Sequence, residues 1–131
     1  MDSIRVAVAQ AASVFVDKDA SIQKAVKIIQ DAGKQGANLV VLPETFISGY
    51  PRGFTYGAYV GSRSDAGRKD FERYWKSSMS LSDDETKPLR DAAKDADAYV
   101  VIGISERGEA GNRGTLYNTM LYLSPDGEIV G

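Results

Sequence analysis

Apolar positions recur along this chain in two rhythms, one of period two and one of three to four. Ile4-Arg5-Val6-Ala7-Val8-Ala9-Gln10 alternates branched apolar residues with smaller or polar ones, the signature of a strand. Asp17 or Asp19 can cap a following helix by offering a short side-chain oxygen to free N–H groups of the first turn. From there to about Lys34, Ile22, Ala25, Val26, Ile29 and Ala32 fall three and four apart. They form one apolar stripe, with Lys24, Lys27, Gln30 and Asp31 outside it. Gly33 and Gly36 supply the stop. Asn38 to Leu42 is a short, continuous apolar run, which predicts a strand buried on both faces of a helix-covered sheet.

That strand ends at Pro43-Glu44. Residues 43–63 then hold four glycines and Pro51, with Tyr50, Phe54, Tyr56 and Tyr59 between them. The pattern predicts a long irregular loop, and loops of that length in a compact domain usually serve function. A helix is expected from Asp65 or Ala66 to about Met79, with Phe71, Tyr74 and Trp75 packed on the sheet rather than facing a partner. Ser82-Asp83-Asp84-Glu85 fits a capping box, with Pro88 placing the helix start a little later. That helix continues through Leu89, Ala92, Ala93 and Ala96. Tyr99 to Ile104 is a third buried strand and Thr115 to Leu123 a fourth. Ser124-Pro125-Asp126-Gly127 turns into a fifth that begins with Glu128-Ile129-Val130. The order is that of an α/β layered domain without internal repeat or linker.

Composition narrows the chemistry more than it narrows the fold. The 131 residues include no cysteine and no histidine. Disulfides, zinc–thiolate sites, thiol catalysis and serine triads are therefore excluded within this chain. A net charge of −2 provides no basic field for nucleic acid or anionic lipid. No apolar run approaches the ~18 to 20 residues of a membrane span, and Met1-Asp2-Ser3-Ile4-Arg5 does not begin a signal peptide. A cytoplasmic location is the default expectation. Asp83-Asp84-Glu85 reads as a helix-dipole partner rather than a metal site. The glycines at 108, 111 and 114 read as a surface hairpin rather than a phosphate cradle, and Lys24, Lys27 and Lys34 as solvated.

Glu44 stands where a buried strand enters a loop, and in open α/β sheets ligands bind outside the carboxyl ends of strands. Partial desolvation there would raise the pKa of a carboxylate toward the range useful for a general base. Spacing alone favours a blander alternative, a glutamate satisfying free N–H groups of the loop.

The motifs carry the reading further. Leu39-Val40-Val41-Leu42-Pro43-Glu44-Thr45-Phe46, followed by Gly49-Tyr50-Pro51-Arg52-Gly53, resembles the glutamate motif of the nitrilase superfamily, and its Tyr-Pro pair resembles the true nitrilase branch. Val6 to Ala11, Val101 to Arg107, Thr115 to Thr119 and Ser124 to Gly127 are similar to other family stretches, in the family's order. The resemblance implies the N-terminal part of an α-β-β-α sandwich, a layered sheet with helices on one face. Residues 1–131 would then be a partial carbon–nitrogen hydrolase domain lacking its C-terminal half. It also implies a Glu-Lys-Cys mechanism without cofactor or metal, acting on a small nitrile, with Glu44 as catalytic base and Tyr50 near the substrate. A homo-oligomer is implied too, the layered sandwich arising as protomers pack together. For Tyr50, an aromatic packed under the loop is an equal alternative. The family's lysine and cysteine have no match here, so the chain alone is expected to be inactive. A catalytically inactive binding or assembly module is the second reading.

Overall fold

Asp17 caps the first helix as expected, its carboxylate accepting the Ala20 N–H at 3.0 Å. The computed structural model describes residues 3–59, 62–109, 111 and 114–131. Met1 and Asp2 of the N-terminal segment, residues 60 and 61 of the loop, and residues 110, 112 and 113 of the expected surface hairpin lie outside the described residues. The elements in chain order are β1 (Val6–Val8), α1 (Lys18–Lys34), β2 (Leu39–Val41), β3 (Ala58–Tyr59), β4 (Ser62–Arg63), α2 (Asp65–Ser77), α3 (Asp83–Asp95), β5 (Tyr99–Arg107) and β6 (Leu116–Leu123). The main sheet runs β1-β2-β5-β6, with β1, β2 and β5 parallel and β6 antiparallel to β5.

Register determines which side chains share a face. Val40 pairs with Val100, and Val100 with Leu123, and all three are fully buried. Together with Ile102 and Leu121 they form a core with Ile22, Ala25 and Ile29 of α1 and Leu89, Ala92 and Ala93 of α3. Each large aliphatic side chain so buried stabilises the fold by roughly 1.5–3 kcal/mol. Gly33 lets the two helices approach, since a Cβ there would lie 2.6 Å from the Ala96 Cβ.

The alternate positions give a row Val8–Val41–Val101–Tyr122 across all four strands. This face is open: Val8 is 77%, Met120 57% and Tyr99 53% exposed. The sequence predicted β2 to be buried on both faces. Instead Leu39 and Val41 are half-buried, because the described helices cover only the side to which Val40 points.

Two local expectations also change. Glu85 does not close a capping box: its carboxylate accepts the Ser80 N–H and pairs with Lys18 and Arg107, while the Ser82 hydroxyl pairs with that of Ser80. Helix α3 starts at Asp83 despite Pro88, whose ring stays exposed while Leu89 and Ala92 drive the packing. Beyond the turn at Gly127 the chain pairs back on β6 as expected, with a bridge of Leu123 to Ile129 and with Val130 N–H donating to Tyr122 O at 2.9 Å and Tyr122 N–H to Gly131 O at 2.8 Å. No helix among the described residues is long and apolar enough to cross a membrane.

Candidate functional site

The backbone leaving β2 first continues its pairing, Leu42 N–H donating to Val101 O at 2.8 Å, and then rises over β5. Gly103 makes the crossing possible. A Cβ on Gly103 would lie 2.5 Å from the Glu44 Cα and the Thr45 N, and 2.6 Å from the Pro43 O. Residues 43–45 therefore rest directly on the strand, and the chain drops back to pair Ile47 with Ile104. Thr45, Ser48 and Gly49 take positive φ values of 44°, 90° and 83°. For the two non-glycine residues such backbone costs about 1–3 kcal/mol each and persists only where surroundings enforce it.

The surroundings do enforce it. Ser48 Oγ donates to Ser77 O at 2.6 Å, the Tyr74 hydroxyl donates to Gly49 O at 2.8 Å, and Val16 N–H donates to Ser48 O at 2.9 Å. Gly49 itself abuts the Phe15 ring and the Ser13 hydroxyl.

Glu44 is exposed rather than desolvated, so the expected burial of this carboxylate is not found. Asn118 of β6 holds it, donating Nδ2–H to Oε1 at 2.6 Å. Asn118 pairs with Ser105 in the ladder and so shares the open face of the sheet with Met120 and Tyr122. The residue next to Glu44 in sequence, Thr45, and its hydrogen-bond partner, Asn118, both line a cleft of about 500 Å³. Tyr50 lines it as well and is 57% exposed, so it is not packed beneath the loop.

Sequence reasoning missed the far wall. Tyr74 is buried against Ser105 of β5 as expected, but it and Phe71 also wall this cleft, with Tyr56 of the loop 5.5 Å edge-on to Phe71 and 6.1 Å from Tyr74. Their helical spacing and aromatic character were visible; the loop they also meet was not. Trp75 meets the sheet, lying under the guanidinium of Arg107 in β5. Burial pushes the Tyr56 hydroxyl up to about 12, helped by Tyr74 and Asp70, and raises that of Tyr74. Both phenols therefore remain neutral donors across the physiological range. Lys27 and Lys34 play no part here, since they pair with Asp31 at 2.5 and 3.5 Å on α1.

A family model described as carbon–nitrogen hydrolase matches residues 5–131. The chain belongs to that family. Among curated carbon–nitrogen hydrolases, an aliphatic nitrilase of Sinorhizobium fredii is 42% identical over 97% of this chain and 40% of its own length. Nitrilase 1 of Arabidopsis thaliana is 40% identical over 98% of this chain and 36% of its own. The chain thus spans about 40% of the length of the curated relatives it matches. Among solved structures, a Saccharomyces cerevisiae member of the nitrilase superfamily superposes with a TM-score of 0.71 at 25% identity, covering 98% of this chain and 42% of the other. An amidase from Nesterenkonia sp. gives 0.63 at 22% identity over 98% and 41%, a likeness of fold. The nitrilase-superfamily α/β fold expected from the motifs is therefore the fold observed.

Proposed function

We propose that this chain is the glutamate-bearing part of a nitrilase-type hydrolase, which converts a nitrile to a carboxylic acid and ammonia. The observation that carries this reading is the Glu44 carboxylate, held by Asn118 beside the cleft at the end of a core strand. Glu44 acts as general base. A cysteine thiolate attacks the nitrile carbon to give a thioimidate, and a lysine stabilises the developing negative charge. Water then releases ammonia and the acid. Tyr50 contacts the substrate. Residues 1–131 form a partial domain, and the lysine and cysteine come from sequence beyond them, since this chain has no cysteine. No cofactor or metal is required, the compartment is cytoplasmic, and neither nucleic acid nor membrane is a partner.

Two assays test this. In a longer protein that carries the cysteine, Glu44→Gln abolishes ammonia release while leaving the fold intact; retained turnover removes Glu44 from the chemistry. The 131-residue chain itself releases no ammonia from nitriles, and turnover by purified chain would overturn that assignment.

One observation favours the second reading, an inactive assembly module: the open sheet face. It exposes Val8, Tyr99, Met120 and Tyr122 side by side, an apolar surface of the kind that protein interfaces bury. In this reading a second copy of the chain covers the face, giving a homo-oligomer of two stacked sheets. Sedimentation would show a dimer that Met120→Lys converts to monomer. A monomeric wild-type chain sinks the second reading.

A further inference from the structure

Hydrogen-bond donors around the cleft are few, and most are spent within the protein. The Tyr74 hydroxyl donates to Gly49 O at 2.8 Å, and Asn118 Nδ2 donates to Glu44 at 2.6 Å. Ser105 Oγ is engaged with Ser78 Oγ at 3.1 Å and with the Tyr74 hydroxyl, while burial closes off the Thr45 hydroxyl. Tyr50 is 57% exposed, which leaves its hydroxyl to solvent. Tyr56 differs from all of these. It lines the cleft half-buried, and its hydroxyl makes no hydrogen bond among the described residues.

Tyr56 is also held more firmly than a loop residue need be. Its φ of 51° falls in the left-handed region, rare for a side chain of this bulk. A Cβ on Gly67 of α2 would lie 2.1 Å from the Tyr56 O, so only glycine lets the loop sit on the helix. Phe54 at 5.7 Å, Phe71 at 5.5 Å and Tyr74 at 6.1 Å surround the ring. Strained backbone persists only where the surroundings impose it, and it gathers where function needs a fixed geometry. What is fixed here is the placement of a phenolic O–H.

We propose that the Tyr56 hydroxyl donates a hydrogen bond to the nitrile nitrogen of the substrate. This assignment rests on the nitrile reading of Glu44 given above. A nitrile offers one polar atom, a nitrogen that accepts and cannot donate, so a carboxylate cannot hold it and a donor must. Negative charge also builds on that nitrogen as the carbon is attacked. A donor already in place then strengthens its bond without reorganising. The hydroxyl keeps its proton for this role, because burial, with Tyr74 and Asp70 nearby, pushes it up to about 12.

The test reads the C≡N stretching band of benzonitrile bound to the chain, since a hydrogen bond on the nitrogen moves that band to higher frequency. Wild type is expected to show the raised band. Tyr56→Phe, which keeps the ring and its packing, returns it to the position of an unbonded nitrile and weakens binding roughly three- to tenfold. Tyr50→Phe leaves the band raised. The Phe71 ring resonances report whether the loop keeps its place in Tyr56→Phe, and they should match wild type. The same band in wild type and Tyr56→Phe overturns the proposal, as does loss of the shift in Tyr50→Phe or the absence of any bound band. None of these results touches the role of Glu44, which fails separately, on turnover retained by Glu44→Gln in the longer protein.

Discussion

Asn118 donates its side-chain amide to the Glu44 carboxylate at 2.6 Å across 74 positions of sequence. The contact ties the last strand of the sheet to the loop that leaves its second strand. It aims one carboxylate oxygen and leaves the other available. A charged acceptor makes the bond stronger than a neutral one, but exposure to water limits its contribution to stability.

Asn118→Leu should therefore change unfolding free energy by less than ~1 kcal/mol while freeing the carboxylate to rotate. In a longer, active protein the expected result is a fall in kcat of tenfold or more with a smaller change in KM. If kcat and stability both keep wild-type values, Asn118 has no positioning role.

Gly103→Ala strikes the same carboxylate from below. The new methyl meets backbone atoms of residues 43–45 at 2.5–2.6 Å, and backbone cannot swing aside as a flexible side chain does. We expect a loss of roughly 1–3 kcal/mol in urea unfolding. The Asn118 amide resonance should also shift as Glu44 is displaced. Wild-type stability in this variant would show that the crossing over β5 is looser than described.

Tyr56 gives the chain an alkaline signature. Its hydroxyl is pushed up to about 12, first by burial and then by Tyr74 and Asp70. A raised folded pKa means that the stabilisation is complete below the ordinary tyrosine value near 10 and is lost as pH rises through about 12. Ultraviolet titration should reveal a late-ionising tyrosine that disappears in Tyr56→Phe, and stability of the variant should vary less between these values. A wild-type titration without a late step contradicts the assignment.

Glu85 acts at the acid end. Burial opposes its charge, but the Ser80 N–H, the Lys18 ammonium at 3.1 Å and the Arg107 guanidinium outweigh this and hold it below the usual carboxylate range. Its contribution is present at neutral pH and is lost as pH falls through the folded value. Stability of the wild type should thus fall more steeply on acidification than that of Glu85→Gln. Parallel pH profiles for the two proteins would rule the cluster out as a source of acid sensitivity.

Much of the scaffold was legible along the chain. The stripe Ile22–Ala25–Ile29 buries as its spacing required, Asp17 caps as its chemistry required, and the run at Leu39–Val41 forms the strand that delivers Glu44. Each of these depends on neighbours within about one helical turn or one strand. The motifs around Glu44 and Tyr50 were legible for the same reason, being contiguous.

The rest required register and packing. Nothing local to Thr115–Thr119 announces that Asn118 will reach Glu44; that follows only when the hairpin places Asn118 opposite Ser105. Nothing local to Gly103 says which backbone crosses it, and nothing local to Phe71 says that it meets Tyr56 of the loop. Residue type and period determine which face of an element is apolar. Which surface that face meets depends on contacts spanning tens of residues, because loop closure and strand register are properties of the assembled sheet rather than of any segment.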